Sequence, residues 1–341
     1  MNIEKPYLLF LGDVQDQLAA KTAQGVVDWR PEWCVGQLKL PGCRADCGVP
    51  DLTIAEARGK GARTMVVGVA NAGGVLPDHW VSKIVEALDA GLNVASGLHK
   101  RLGAVSEIAE AARRNDRRLH DIRHTDMVFA TGKGVKRPGL RLLTVGTDCS
   151  VGKKYTALAI DKEMRRRGMN CDFRATGQTG VLISGRGLAI DAVVADFISG
   201  AAEWLTPANE PDHWDVVEGQ GSLFHPSFAG VTLGLLHGAQ PDAFVVCHEP
   251  TRKAMRGVAY PLPSIDDVIE RTVIEGRLTN PRIACVGIAL DTEHLEEPAA
   301  RALLDRTGQA HGLPCVDPIR TSVAPIIDHL ERFYSIAYAK A

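Results

Sequence analysis

Between Gly146 and Lys153 the chain reads Gly-Thr-Asp-Cys-Ser-Val-Gly-Lys. An apolar run, Leu140–Val145, leads into it and an amphipathic stretch of helical length leads out. In such a strand–loop–helix, successive backbone N–H groups and the helix start cradle an anion, and a lysine reaches its oxygens. The chemistry is phosphate binding, by Gly146, Thr147, Asp148, Cys149, Ser150, Val151, Gly152, Lys153 and Lys154. Two features depart from the usual G-x-x-x-x-G-K-[ST]. The two glycines are separated by one residue more than usual, and Lys154 stands where a hydroxyl would coordinate Mg²⁺. In enzymes that move a phosphoryl group that hydroxyl is part of the metal site. A lysine there repels Mg²⁺ and adds charge against phosphate. Thr156 takes over the metal only if the loop register shifts.

The elements that must position this loop follow from hydrophobic patterning. Short apolar runs alternate with helix-length amphipathic segments along the whole chain, which predicts βαβ units, mostly parallel sheets and an α/β fold. Strands are expected at Tyr7–Leu11, Cys34–Leu38, Thr64–Val69 and Leu92–Ala95, with helices over about 78–90 and 104–114. A polar, breaker-rich stretch, Lys133–Gly139, precedes the strong run at Leu140, so the domains are expected at 1–137 and 138–341. In the second, strands are expected at Leu140–Val145, Asn170–Ala175, Asp215–Glu218, Ala243–Cys247, Arg282–Leu290 and Pro314–Val316. The helix after Lys153 places Ala157, Ile160 and Met164 on one face and ends in Arg165-Arg166-Arg167-Gly168, cations and glycine suited to a helix C-terminus. Ser264-x-x-Asp267 has the form of a capping box.

With 341 residues, 45% of them hydrophobic, the chain is long enough for two cores. A net charge of −2 gives no basic surface for nucleic acid. No apolar run reaches membrane-spanning length and the start lacks a secretion signal. The eight cysteines, spread over a long chain, read as reduced thiols of a cytoplasmic protein. Cys43 and Cys47, with Cys34 upstream, lack a fourth ligand at zinc spacing, and no metal is expected. After the first strand Gly12 is followed by Asp-Val-Gln-Asp, not G-x-G-x-x-G, so a dinucleotide is not expected there.

A second motif lies downstream: Trp214-Asp-Val-Val-Glu-Gly-Gln-Gly-Ser222. The loop and this strand end resemble those of dethiobiotin synthetase-type proteins, which implies that Glu218 faces the phosphate loop. Ligands of open α/β sheets bind at the carboxyl ends of strands, where both motifs fall. The wider set also includes Gly177-Gln-Thr-Gly180, Ile190-Asp-Ala-Val-Val-Ala-Asp-Phe197, His248-Glu-Pro250, Gly68-Val-Ala-Asn-Ala-Gly-Gly74 and Ser96-Gly-Leu-His99. Together they resemble the family of DgcN-type D-glutamate N-acetyltransferases over nearly the whole chain. The resemblance implies a Rossmann-like domain followed by a P-loop NTPase-like domain, and transfer of an acetyl group from acetyl-CoA to the amine of D-glutamate.

Coenzyme A carries a pyrophosphate and a 3′-phosphate, so a phosphate loop can hold it, and acetyl transfer needs no Mg²⁺. Under this reading Lys153 and the loop N–H groups anchor the CoA phosphates. A base takes the ammonium proton so that the amine attacks the thioester, and backbone N–H groups stabilise the oxyanion. The candidate bases are Asp148, Glu218 and His225. Arg174, Arg252 and Arg320 are candidates for the carboxylates of glutamate, since guanidinium matches carboxylate in a fork. Gln178 and Thr179, on a Gly-flanked loop, are candidate phosphate or substrate contacts; of Asp191 and Asp196 one is a further catalytic candidate, Asp191, at a helix start, ahead of Asp196. Cys149, near a helix N-terminus, could carry an acetyl group. The competing readings are an ATP/Mg²⁺-dependent ligase or kinase of the dethiobiotin synthetase type, and a nucleotide-dependent switch protein. The expected partner is a small-molecule substrate, with no nucleic acid or membrane, and the chain is expected to form a homo-oligomer.

Overall fold

Tyr7–Gly12 forms β1, every residue of it buried, as expected of a parallel strand covered on both faces. In the computed structural model, which describes residues 3–70 and 76–338, β1 pairs with β2 (Cys34–Lys39) and β3 (Thr64–Val67). The helix α1 (Lys21–Trp29) joins β1 to β2, and α2 (Ile54–Gly59) precedes β3. Thr53 and Glu56 close the start of α2 as a reciprocal capping box. α3 (Asp78–Asp89) follows, with Trp80, Ile84, Ala87 and Leu88 buried along one stripe. β4 (Asn93–Ser96), α4 (Ser106–Arg114) and β5 (Leu119–Asp121) complete a parallel sheet of order β2-β1-β3-β4-β5. The turn after β1 is filled by the protein itself. Gly12 has φ +58°, and a Cβ there would lie 2.2 Å from the Trp80 indole, whose Nε1 donates to Asp13 at 2.8 Å.

The second sheet is also parallel. β6 (Leu140–Gly146) runs into the phosphate loop, α5 (Lys153–Arg166) leaves it, and β7 (Cys171–Arg174) follows. After β7 come α6 (Gln178–Ser184), α7 (Ile198–Leu205), β8 (Trp214–Val217), α8 (Ala229–Ala239) and β9 (Ala243–His248). The chain continues through α9 (Ile265–Gly276), β10 (Ala284–Leu290), α10 (Glu297–His311), β11 (Cys315–Val316) and α11 (Ala324–Tyr338). The strand order is β11-β10-β9-β6-β8-β7. β6 lies between β9 and β8, and the chain order reverses about it. That puts the phosphate loop at the switch point of the sheet, where open α/β sheets hold ligands. The arginine run at the end of α5 is a helix end: Arg165 pairs with Asp161, Arg166 and Arg167 with Glu163, and Gly168 follows at φ +76°.

Two compact units result, but not with the expected limits. One comprises Met1–Met127 with Gly177–Ala192, the other Val128–Thr176 with Val193–Ala341. The residues before Pro138 already belong to the second unit. The N–H groups of Lys133 and Gly134 donate to Glu203 at 2.8 and 2.9 Å, and Lys136 Nζ donates to Asp242 at 3.0 Å. Conversely, α6 and the turns after it join the first unit. Thr179 and Thr22 hydroxyls are 3.2 Å apart, Gln178 packs on Gly97, and Arg123 pairs with Asp191. Of the Gly68–Gly74 motif, residues 71–74 lie outside the described residues. None of the eight cysteines is in a disulfide. No helix among the described residues is long and apolar enough to cross a membrane.

Candidate functional site

The phosphate loop has the backbone that anion binding requires. Ser150 and Gly152 are left-handed, at φ +53° and +91°, and α5 begins directly at Lys153 with Gly152 as its N-cap. The backbone N–H groups of Ser150, Val151, Gly152 and Lys153 have no partner among the described residues. Four successive donors converging at a helix N-terminus form an anion nest. Lys153 is 6% exposed, and its Nζ donates across the loop to the Asp148 carbonyl at 2.6 Å. Burial pushes its pKa down from the ordinary lysine value.

The loop register is not shifted. Lys153 and Lys154 are the first two residues of α5, so Lys154 keeps the position of the usual metal-binding hydroxyl. The Thr156 hydroxyl turns back to the Gly152 carbonyl at 3.0 Å and accepts from Cys247 Sγ at 3.4 Å, fully buried.

Asp148 is the organiser of the loop. Its side chain is wholly buried. Oδ1 accepts the Cys149 N–H at 2.6 Å, while Oδ2 accepts Arg252 Nη1 and the Arg256 N–H, both at 2.7 Å. Arg252 extends this clamp, donating to the carbonyls of Cys149 at 2.7 Å and Ser150 at 2.9 Å and to Glu249 at 3.2 Å. The segment after β9 is thereby fastened to the phosphate loop by one buried carboxylate.

Glu218 stands at the end of β8, 4% exposed. Its Oε2 accepts the Thr176 N–H at 3.0 Å, and its carbonyl accepts the Thr176 hydroxyl at 2.6 Å. Gly219 explains the glycine of that motif. A Cβ there would lie 1.7 Å from the Thr144 carbonyl oxygen and 3.1 Å from Lys153 Cδ. Only glycine lets the chain after β8 pass so close to β6 and to the lysine stem.

His225 is buried with both ring nitrogens engaged. Ser227 N–H donates to Nδ1 at 3.2 Å, so the proton is on Nε2, which donates to the Arg256 carbonyl at 3.0 Å. The ligand atoms of Asp148, Cys149 and His225 lie within 4.8 Å of one another. Their chemistry does not fit a metal: the carboxylate already holds a guanidinium and both imidazole nitrogens are committed.

Arg174 folds back along β7 to Asp215, 2.6 Å away, within a buried ion network that includes Arg141. Arg320 holds a turn, pairing with Glu297 and donating to the carbonyls of Thr292 and Leu295. Gln178 and Thr179 begin α6 in the first unit. Asp191 there accepts from Arg123, 7% exposed, which also donates to the Gly97 carbonyl at 3.0 Å. The site thus gathers Asp148, Glu218, His225, Arg252 and the loop, and commits Arg174 and Arg320 elsewhere.

Three further residues stand at this end of the sheet: His248, marked in the sequence only within its motif, and Asp291 and Arg256, which were not selected there. His248, ending β9, has Nδ1 3.0 Å from the Thr147 hydroxyl, and burial lowers its pKa. Asp291, just past β10, lies beside Gly152, and burial raises its pKa. Arg256 has its N–H on Asp148 and Nη1 2.9 Å from Ser150 Oγ. His248 and Asp291 carried a signal, each being polar at the end of an apolar strand. Arg256 carried none.

The chain matches two family models: a domain of unknown function described as the DUF1611 P-loop domain, over residues 128–327, and the DUF1611 Rossmann-like domain, over 38–125. It is 51% identical to a protein of Pseudoalteromonas sp. named D-glutamate N-acetyltransferase, over 97% of this chain and 100% of that one. A protein of the same name from Tritonibacter scottomollicae is 50% identical over 96% of this chain and 99% of its own. The crystal structure of a DUF1611 family protein from Anabaena variabilis superposes with a TM-score of 0.87 at 28% identity, covering 96% of this chain and 100% of that chain.

Proposed function

The chain belongs to the DUF1611 family, and we propose that it is a D-glutamate N-acetyltransferase that takes its acetyl group from acetyl-CoA in the cytoplasm. The observation that carries this reading is identity of 51% along 97% of the chain with a relative of that name. The loop supports the donor. Four free N–H groups and a buried lysine suit the diphosphate of coenzyme A, while Lys154 at the metal position and the turned-away Thr156 hydroxyl suit a phosphate that is held and not transferred. Cysteines that form no disulfide suit a reducing compartment.

Asp148, Glu218 and His225 act at the phosphate end of the donor. Coenzyme A places its thioester at the far end of a long pantetheine arm, away from the diphosphate. Asp148 is hydrogen-bonded within the loop, Glu218 to Thr176, and His225 to Ser227 and Arg256; these groups therefore hold the site in shape, and the ammonium proton leaves by another group. The direct experiment follows thiol release from acetyl-CoA with a panel of D- and L-amino acids, with ATP hydrolysis in parallel. Release with D-glutamate alone is expected; ATP turnover without thiol release would refute the reading.

A further inference from the structure

We infer that Arg256 is the second cation of the phosphate site, a guanidinium that closes on the diphosphate of the donor beside Ser150. The inference rests on the phosphate-loop reading above and adds the residue that grips the ligand.

The backbone of Arg256 is fixed at both polar groups. Its N–H is spent on buried Asp148 at 2.7 Å, and its carbonyl accepts from buried His225 at 3.0 Å. The flanking turn is held by the Met255 N–H on the Tyr260 carbonyl at 2.8 Å, with Met255 buried and Gly257 left-handed. The side chain is the reverse. It is exposed, and among the described residues its one polar contact is Nη1 with Ser150 Oγ at 2.9 Å, at the rim of the four free N–H groups. Among the described residues no carboxylate pairs with it. Arg252, Arg174 and Arg320 are each neutralised by an acid.

A fixed backbone, an unneutralised guanidinium and a neighbouring anion nest form a jaw that an anion completes. Its planar donors suit two phosphoryl oxygens at once. The ligand class is a diphosphate, carried by coenzyme A under the proposed function and by a nucleoside diphosphate otherwise. Asp148 keeps Arg252 as its counter-ion, so loss of the Arg256 side-chain contact leaves no buried charge unpaired.

The test is calorimetric titration of the full chain with CoA, ADP and inorganic pyrophosphate, comparing the parent with Arg256→Gln and Arg256→Lys. Both substitutions keep the main-chain bonds to Asp148 and His225, so the thermal unfolding midpoint should hold. Arg256→Gln is expected to weaken the bound diphosphate roughly ten- to hundredfold, the loss of one charge-assisted contact, and Arg256→Lys to recover part of it. Arg256-dependent binding of CoA or of ADP supports the inference. Which of the two binds, and whether thiol is released with D-glutamate, judges the proposed function separately. Affinities unchanged within about twofold for every diphosphate would overturn the role of Arg256. So would equal weakening in both variants with a lowered unfolding midpoint, which would make the residue structural.

Discussion

Asp148 and Arg252 meet at 2.7 Å inside the phosphate loop, with the carboxylate wholly buried. The pair joins two strand ends. Asp148 follows β6 and Arg252 follows β9, and the guanidinium also ties down the carbonyls of Cys149 and Ser150. These carbonyls must face away from a bound anion if the loop N–H groups are to face it. An acid within a phosphate loop, at first sight adverse to anion binding, is thus neutralised and turned into a scaffold.

Asp148→Asn should therefore act on the fold before the chemistry. Three donors lose a charged acceptor, and Arg252 keeps only Glu249 as counter-ion. Breaking a buried pair by removing one partner costs on the order of 3 kcal/mol. Urea unfolding of the unliganded chain should show a loss of that order, with CoA affinity reduced as well. An unchanged midpoint with impaired turnover would instead make Asp148 a reacting group.

Gly219→Ala probes the close approach of β8 to β6. The added methyl would lie 1.7 Å from the Thr144 carbonyl, so the strand end must move. That also strains the Gly219 N–H bond to Thr144 Oγ1, now 3.0 Å. Overpacking of this kind costs roughly 1–3 kcal/mol. A fall in melting temperature together with weaker CoA binding is expected, because the same methyl presses on the Lys153 stem. Stability equal to the parent would show that the passage is looser than its geometry.

The strands of both sheets and the phosphate loop were legible because burial on both faces writes itself as unbroken apolar runs. β5 was not: Leu119-His-Asp is three residues with a single aliphatic, held as an edge strand by pairing with β4. The allegiance of 177–192 was illegible for another reason. A segment that leaves one unit to pack with another keeps its own helical pattern, so composition shows no seam. The polar stretch before Gly139 misled about the boundary because it is exposed, yet its N–H groups already serve Glu203. Arg174 and Arg320 looked like free carboxylate binders, since their acids, Asp215 and Glu297, are distant in sequence. Arg256 reaches the loop only through the folded path of 249–261.

Asp191 offers a test confined to the first unit. Its carboxylate satisfies Arg123, which is 7% exposed. Asp191→Asn removes the counter-ion of a buried guanidinium, and a loss of about 2 kcal/mol is expected, the range for a hydrogen bond to a charged group. Hydrogen exchange should quicken in α6 and around Gly97. Unaltered exchange there, with lost activity, would restore Asp191 to a catalytic role.

Lys153 makes the final prediction, and its sign follows from burial. Desolvation disfavours the ammonium, so Lys153 loses its proton below the ordinary 10.5. Anion affinity depends on the charged form. As pH rises through the lowered value, CoA affinity should fall by up to about tenfold per pH unit, and binding in that range should take up a proton, because a bound phosphate restores the ammonium. Titrations between neutral pH and pH 10, in buffers of different ionisation enthalpy, read both effects. A guanidinium, unlike an ammonium, does not titrate over this interval, so arginine side chains cannot produce the same profile. Lys153→Met should bind roughly ten- to hundredfold more weakly at neutral pH, the cost of one charged contact, and its affinity should not vary over the same interval. A variant that kept the parent's pH profile would remove Lys153 from the anion site.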